Sequence, residues 1–318
     1  MRKKCGARRQ DASFLLCRRR GGCRLSLAYA YLATAMALVG ANVGVAKLLA
    51  EALPIPLIAC LRCLLACAVL WPLARAWEGR VRPGRGALAN LALQAVFGTA
   101  LYNAGVLAGL RLTSALEGGL VLATLPAVVA LGSALWLRER LRPRQWAAVA
   151  LAAGGMALMT LARLGGPGGT GGGHALGNLL VFGGVLGEAA YVLLAKRLGT
   201  ALPVVTASFW MQALSALVLL PFALPGIGAV AALGEPRLAG LLVFHSLTAS
   251  VLCLLLWYAG LRRVPAGVAG MFTMFLPAAA AATAVLALGE AATPFHALGF
   301  GLMGASLLLA TWRGRGRG

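Results

Sequence analysis

Ten long apolar runs divide this sequence, and they constrain its fold more than any other feature. Each run is bounded by charged residues, prolines or glycine clusters, and each approaches the roughly 20 residues that a helix needs to cross a bilayer. None alternates apolar and polar residues as the strands of a membrane barrel do. Because lipid offers no partner for backbone polar groups, the runs must be helical. We therefore predict an all-α membrane protein with ten transmembrane spans, numbered 1 to 10, over about 25–49, 54–74, 87–110, 113–137, 145–161, 176–195, 203–224, 238–261, 266–288 and 295–312.

Composition supports this class and excludes others. Of the 318 residues, 60% are hydrophobic and only 12% are charged, whereas about a quarter of a soluble domain is charged. A soluble domain and a secreted disulfide scaffold are therefore excluded. The net charge of +21, from 29 Lys and Arg against 8 Asp and Glu, would by itself suggest a protein that binds nucleic acid.

The positions of the positive charges give another explanation. By position, 24 of the 29 lie in the N-terminal leader, the C-terminal tail and the loops after spans 2, 4, 6 and 8. Cytoplasmic loops of membrane proteins carry such an excess of Lys and Arg. We therefore predict a multi-pass protein of the bacterial inner membrane, with both termini in the cytoplasm and no nucleic-acid partner.

The sequence also contains an internal repeat. At a shift of 151 residues, 108–139 aligns with 259–290 without a gap and with 13 identities in 32 positions. This shift places Pro126 on Pro277 and Glu139 on Glu290, and a shift of 149 places Pro54 on Pro203. Each copy holds five predicted spans, so the second copy should enter the membrane upside down.

Two inverted five-helix repeats are typical of secondary transporters, because the halves can exchange conformations and open one site to either side. The alternative is an old duplication kept only for folding. We expect a first repeat over 25–163, a flexible Gly-rich linker over 164–175 and a second repeat over 176–312, with basic cytoplasmic tails at 1–24 and 313–318. The linker lacks the Lys-Ser/Thr end of a phosphate loop, which argues against nucleotide binding.

Two segments resemble a known family. GLRLTSALEGGLVLATLPAVVALGSALWLRERL and LLWYAGLRRVPAGVAGMFTMFLPAAAAATAVLALGE are similar to EamA-type domains of the drug/metabolite transporter superfamily, and ANVGVAKLLAEALP with the following Leu61-Arg62 resembles the family's first helix pair. The resemblance implies a ten-helix transporter of small metabolites, often amino acids or related compounds and often outward. The leader departs from the family, which usually starts near helix 1. It is either a cytosolic tail or the result of a misplaced start codon, and it does not resemble a signal peptide.

Polar residues inside the membrane need a reason to be there, since a charge at a helix centre costs roughly 2.5–3.5 kcal/mol on insertion scales. Glu188 lies in the middle of span 6, and Tyr191 lies on the same helical face. Glu188 either faces a cavity, binding a cationic group or a coupled proton, or pairs with Arg62 as a structural residue. Glu117 and Thr124 share a face of span 4, where a carboxylate near the helix N-terminus is favourable in any case.

Other candidates for substrate binding come from the same criterion. Asn42 in span 1 lies within Gly40-xxx-Gly44, a pattern of close helix packing. Its amide either binds the substrate or forms hydrogen bonds between helices. Thr273 lies one turn before Pro277, and Pro126 and Pro277 either kink their helices or expose a backbone carbonyl. The remaining candidates are a polar set in span 3 and a polar and aromatic set in span 8: Gln94, Thr99, Tyr102, Asn103, Ser250, Trp257 and Tyr258.

Thr99, Tyr102 and Asn103 are spaced to form one stripe. Trp257 either lines an apolar cavity or, with Tyr258, belongs to the aromatic belt at the membrane interface. Arg62 lies deep enough to require a carboxylate, and an ion pair with Glu51 or Glu117 is the default interpretation, with anion binding as the alternative.

Cysteines and histidines suggest no metal site. Cys60, Cys63 and Cys67 share a helical face but are small packing residues in lipid, and no Cys or His spacing matches a zinc pattern. We expect no cofactor and no catalytic site.

We predict a secondary transporter of small metabolites, amino acids or related compounds with drugs as a further class. It exports its substrate by alternating access, with proton coupling through Glu188, as a monomer or homodimer. The rival classes are an integral-membrane enzyme and a non-transporting interaction protein.

Overall fold

The computed structural model describes residues 5–112, 121–163, 175–276, 279 and 294–311, and all regular elements within them are helical. The α-helices are α1 (Cys5–Ala50), α2 (Ile55–Trp77), α3 (Arg85–Ala95), α4 (Tyr102–Leu112), α5 (Leu125–Trp136), α6 (Pro143–Arg163), α7 (Ala175–Leu198), α8 (Val204–Ala223), α9 (Pro236–His245), α10 (Cys253–Leu261), α11 (Ala266–Met271) and α12 (Pro294–Thr311). π-helical turns at Val96–Leu101 and Ser246–Leu252 join α3 to α4 and α9 to α10. Segments of 3-10 helix at Leu224–Gly234 and Phe272–Met274 follow α8 and α11.

Five helical stretches in the described residues are long and apolar enough to cross a membrane. They are Ser26–Ala50, Ile55–Trp77, Leu176–Leu198, Val204–Gly234 and Pro236–Leu261, which fall on predicted spans 1, 2, 6, 7 and 8. The other five predicted spans each contain helix, and spans 4, 9 and 10 lie partly outside the described residues. Helix α1 begins at Cys5, well before the start predicted for span 1.

Large apolar side chains remain exposed on the outer surface of the helices. Leu135, Trp77 and Leu308 are 72%, 71% and 66% exposed. A soluble protein would bury such a surface, whereas a bilayer accepts it. The fold is therefore that of a multi-pass membrane protein, as expected from the sequence.

Equivalent positions of the two copies form the same local structures. Pro54 and Pro203, equivalent at the shift of 149, precede α2 and α8 with φ of −60° and −58°. Proline fixes φ near −65° and is well suited to the start of a helix. The two π-helical turns are also equivalent, at the shift of 151.

Packing between the copies follows the same correspondence. Helix α4 packs on α7 and its equivalent α10 packs on α1, while α2 packs on α8, α5 on α11 and α6 on α12. Gly109 of α4 lies so close to α7 that a Cβ there would be 2.6 Å from the Gly177 carbonyl oxygen. Its equivalent Gly260 would place a Cβ 3.0 Å from the carbonyl oxygen of Ala28, which is the equivalent of Gly177. Small residues allow both crossings.

The contacts between the connections fall into two groups. Hydrogen bonds join the loop after α2 to the start of α8 and the loop after α5 to the start of α11. Lys196 Nζ, at the end of α7, donates to the carbonyl oxygens of Leu261 and Val264 after α10. The connection after α1 meets the one after α8 instead, since a Cβ on Gly226 would lie 2.9 Å from Pro54 Cγ.

Candidate functional site

A cavity of about 430 Å³ lies between the two copies, a size typical of sites for small molecules. Its wall is formed by residues of both copies, namely Met36, Val39, Arg62, Cys63, Gly98, Thr99, Tyr102, Leu122, Ala123, Leu125, Glu188, Tyr191, Met211, Gln212, Ser215, Ala249, Ser250, Cys253, Leu254, Trp257, Thr273 and Leu276. Most of these side chains are apolar or neutral.

Many residues on the cavity wall are equivalent to each other in the internal repeat. Eight pairs of wall residues are equivalent to each other at the shifts of 149 and 151: Val39 and Glu188, Arg62 and Met211, Cys63 and Gln212, Gly98 and Ala249, Thr99 and Ser250, Tyr102 and Cys253, Leu122 and Thr273, Leu125 and Leu276. The two copies therefore contribute equivalent positions to the wall of the cavity.

The π-helical turns supply part of this wall. Thr99 lies in the first turn and Ser250 in the second, and Tyr102 and Cys253 follow directly after them. A π-helical turn inserts an extra residue into a helix and often marks a functional site. Across the cavity, Thr99 Oγ1 shares a hydrogen bond of 3.2 Å with Ser215 Oγ, and Gln212 Nε2 donates to the Ser250 carbonyl oxygen at 2.9 Å.

The two charged residues on the wall have no charged equivalent in the other copy. Glu188 and Arg62 lie on the wall, while their equivalents are the apolar Val39 and Met211. In the described part of the chain, neither Glu188 nor Arg62 forms an ion pair. The predicted pairs of Arg62 with Glu188 and with exposed Glu51 are therefore not formed there. Among the described residues, the cavity wall presents one carboxylate and one guanidinium, which form no ion pair with each other.

Seven predicted site residues lie on this wall, namely Glu188, Tyr191, Thr99, Tyr102, Ser250, Trp257 and Thr273. Trp257 and Tyr258 are each 2% exposed, which excludes the aromatic-belt interpretation because belt residues face the membrane interface. Thr273 also donates to the Gly270 carbonyl oxygen at 2.7 Å, at the point where α11 passes into 3-10 helix.

Three predicted residues join the copies outside the cavity. Asn42 Oδ1 accepts hydrogen bonds from His245 Nδ1 at 3.0 Å and Thr248 Oγ1 at 3.1 Å, so it bridges helices. Gln94 is fully buried, and its Oε1 accepts a hydrogen bond of 2.6 Å from the Tyr258 hydroxyl. These side chains position helices rather than contact the cavity.

Other predicted residues lie apart from the cavity for local reasons. Asn103 is exposed and donates to the Thr99 carbonyl oxygen at 2.6 Å. Thr124 donates to the Val121 carbonyl oxygen at 2.6 Å, and buried Pro126 lies in the first turn of α5. Proline starts this helix after a break at 123–124. Glu117 and Pro277 lie outside the described residues.

Sequence reasoning missed part of the wall. Gln212, Ser215 and Cys253 line the cavity although no rule for polar groups in lipid singled them out. The repeat could have found two of them, since Gln212 is the equivalent of Cys63 and Cys253 that of Tyr102. Within the described residues, no cluster of three His, Cys, Asp or Glu could hold a metal ion.

Comparison with known proteins assigns the family. The sequence model of the EamA-like transporter family matches residues 26–161 and again 175–312. This chain belongs to the EamA-like transporter family. The two matches fall on the two copies of the internal repeat.

Individual relatives agree with this membership. The chain is 33% identical over 280 residues to "Uncharacterized transporter YetK" of Bacillus subtilis (strain 168), which covers 86% of this chain and 83% of that protein. A solved crystal structure with 19% sequence identity superposes with a TM-score of 0.70 over 91% of this chain and 96% of that chain. At this identity, the superposition shows the fold alone. The family and its relative make this EamA-like protein a membrane transporter.

Proposed function

We propose that this EamA-like transporter is a ten-span secondary transporter that moves a small metabolite through the cavity by alternating access. The observation that carries the proposal is the wall built from eight pairs of repeat-equivalent residues. A cavity on a pseudo-twofold axis is open to either side when the two halves exchange conformations. An apolar wall with a few polar groups suits a small organic solute.

The inverted arrangement of the repeats is part of the proposal. The connection after α1 contacts the one after α8, whereas its equivalent, between α7 and α8, contacts the loop after α2, and these contacts support the inversion. The alternation of the 24 positive charges supports placing the loops after α2 and α7, and both termini, in the cytoplasm. We further propose that this membrane is the bacterial inner membrane.

Hydrogen bonds between the repeats support a state closed toward the cytoplasm. The Glu78 carboxylate accepts from the backbone N–H groups of Val205 at 2.9 Å and Thr206 at 2.7 Å. The Glu139 carboxylate accepts from the Ala266 N–H at 2.7 Å. Both carboxylates satisfy N–H groups at a helix start, which have no partner within the helix. Opening toward the cytoplasm requires these bonds between the repeats to break.

Glu188 is the group that we assign to coupling. Its carboxyl group lies on the cavity wall without a hydrogen bond or ion pair in the described part of the chain. An ionised carboxylate in such a place is costly unless it binds a cation or a proton. We propose that it binds the cationic group of an amino acid or related substrate, or of a cationic drug, and exchanges it for a proton during export.

The test is transport by the purified protein in proteoliposomes with an imposed pH gradient. A panel of amino acids, sugars, nucleosides and cationic drugs should contain a solute whose flux follows the gradient in the wild type. Glu188→Gln should abolish this dependence while Glu235→Gln, which changes an exposed carboxylate, keeps it. Flux of the Glu188→Gln variant that still follows the gradient would exclude Glu188 as the coupling residue.

A further inference from the structure

A second cavity, of about 320 Å³, lies where α2 ends and α8 begins. The first repeat contributes the last turns of α2 and the loop after it, and the second repeat contributes Thr206, Phe209 and Trp210 of α8. None of the residues on this wall lies on the wall of the cavity proposed for transport. The transport cycle proposed above therefore gives the second cavity no role.

Three arginines line the second cavity, and among the described residues no carboxylate does. Arg75, Arg80 and Arg82 are all exposed, and none of them forms a hydrogen bond or ion pair in the described part of the chain. The Glu78 carboxylate is bound to the start of α8 instead, where it accepts from the Thr206 hydroxyl at 2.7 Å. Guanidinium groups bind phosphate oxygens through paired, charge-assisted hydrogen bonds. The second cavity therefore suits an anionic group that carries phosphate.

The repeat shows that the fold itself does not require these arginines. At the shift of 149, their equivalents are Leu224, Ala229 and Ala231, in the 3-10 helix after α8. The same connection thus forms in the second repeat without a positive charge at any of the three positions. The orientation of a membrane protein requires positive charge in cytoplasmic loops, but it does not require three guanidiniums around one cavity.

The surface of α2 that leads to the second cavity is apolar and faces outward. Leu64, Ala68 and Trp71 are exposed at helical spacing along one face. This face ends at Arg75, whose guanidinium lies 4.8 Å from the centroid of the Trp71 ring. Trp77, in the last turn of α2, is also exposed, and exposed tryptophans of membrane helices concentrate at the level of the lipid headgroups. Apolar surface followed by positive charge at headgroup depth matches the order of groups in an anionic phospholipid.

We propose that the second cavity binds one anionic phospholipid. Arg75, Arg80 and Arg82 bind its phosphate, and Trp71 and Trp210 pack against its glycerol and the first carbons of its acyl chains. Basic pockets between membrane helices bind anionic headgroups in this way. Because the wall belongs to both repeats, the bound lipid contacts both of them, whichever solute the transporter moves.

The test measures lipid binding to the purified full-length protein by native mass spectrometry in a neutral detergent. The probes are dioleoyl phosphatidylglycerol, which is anionic, and dioleoyl phosphatidylcholine, which has the same phosphate and acyl chains but no net charge. The wild type should bind its first molecule of phosphatidylglycerol about 10-fold or more tighter than phosphatidylcholine, because each basic residue near an anionic lipid adds attraction. Equal affinity for the two lipids overturns the inference.

Substitutions of the three arginines locate the site. Arg75→Gln, Arg80→Gln and Arg82→Gln should each weaken binding of phosphatidylglycerol about 5-fold, and the triple variant about 100-fold, while binding of phosphatidylcholine changes little. All three positions are exposed, so these variants should fold. An unchanged affinity for phosphatidylglycerol in the triple variant overturns the inference.

The control removes the same charge from a different loop. Arg138, Arg140 and Arg142 are exposed in the loop after α5 and do not line the second cavity. Their triple replacement by Gln should change the affinity for phosphatidylglycerol less than about twofold, because charges away from a bound lipid are screened by salt. Equal losses in the two triple variants would show attraction to the whole basic surface and overturn a specific site.

A competition experiment distinguishes a lipid from a soluble phosphate compound. The competitor is sn-glycerol 3-phosphate, which has the phosphate of the lipid without its acyl chains. It should not displace phosphatidylglycerol at about 100-fold higher concentration than the lipid, because buried acyl groups add to the affinity. Displacement at equal concentration would assign the second cavity to a soluble phosphate compound and overturn the assignment to a lipid.

Discussion

The carboxylate of Glu139, in the first repeat, accepts a hydrogen bond of 2.7 Å from the backbone N–H of Ala266, the first residue of α11 in the second repeat. The same carboxylate oxygen accepts a hydrogen bond from the Ser133 hydroxyl. The Glu139 carboxylate thus joins the two repeats at the end of the bundle that carries the proposed cytoplasmic loops. Its counterpart in the sequence, Glu290, occupies the equivalent position of the second repeat.

Loss of the hydrogen bond between Glu139 and Ala266 should favour opening of the cavity toward the cytoplasm. A hydrogen bond to a charged group contributes about 1.5–3 kcal/mol, so Glu139→Ala should shift the balance between states by about 10- to 100-fold. The measurement is the rate at which a thiol reagent applied from the cytoplasmic side labels Cys63 and Cys253 on the cavity wall. The rate should rise in Glu139→Ala. Ser133→Ala, which keeps the bond to Ala266, should change it much less, and equal effects of the two variants contradict the assignment.

Side chains added at the close helix crossings should prevent folding. A Cβ at Gly109 meets the Gly177 carbonyl oxygen at 2.6 Å, and a Cβ at Gly260 meets Leu32 Cγ at 2.7 Å. We expect Gly109→Val and Gly260→Val to lose most of the monodisperse protein in detergent, because backbones at such contacts cannot separate cheaply. Gly154→Val, where a Cβ meets nothing within 4 Å, should behave as wild type in size-exclusion chromatography. Normal yields of the first two variants would refute these crossings.

The buried pair of Gln94 and Tyr258 should stabilise the protein without touching the substrate. Tyr258→Phe leaves the Gln94 amide oxygen without its hydroxyl donor, and an unsatisfied buried polar group costs about 1–3 kcal/mol. We expect a lower unfolding temperature, by several degrees, and an unchanged KM for transport. Tyr31→Phe removes a hydroxyl that the described structure leaves without a hydrogen bond and serves as control. A raised KM in Tyr258→Phe would place this pair in the binding site.

A bound substrate should protect a cysteine on the cavity wall but not a cysteine that lies away from it. Cys253 lies on the cavity wall, whereas Cys60 lies away from it and donates weakly to the Ala216 carbonyl oxygen. Saturating substrate should slow labelling of Cys253 by a small thiosulfonate about fivefold or more, because the ligand fills the cavity. Labelling of Cys60 should not change. Equal protection of both thiols would point to a change of the whole protein rather than occupancy.

The sequence predicts the helices and the repeat well, because apolar runs and matched residues are visible in one dimension. It also leads to Glu188 and Tyr191, since a carboxylate within an apolar span has few structural explanations. Met36 and Met211 could not be found in this way, because an apolar side chain that faces a cavity looks the same as one that faces lipid.

The expected stripe in span 3 is a second shortfall. Thr99 and Tyr102 lie on the cavity wall, whereas Asn103 is exposed and donates to the Thr99 carbonyl oxygen, and residue spacing alone does not distinguish these outcomes. Whether Arg62 has a partner also depends on three-dimensional distances that no spacing in the sequence encodes. The partner proposed from charge, Glu51, is exposed and does not pair with it.

The most direct test of the account is a reversible cross-link between the repeats. In a transport-competent variant without its native cysteines, Glu139→Cys and Ala266→Cys are joined by a short, reducible bifunctional reagent. Transport in proteoliposomes should stop and return on reduction, because the repeats must separate at this end. A control cross-link within the first repeat, between Ser133→Cys and Glu139→Cys, should leave transport intact. Undiminished transport by the fully cross-linked Glu139–Ala266 pair would contradict alternating access between the two repeats.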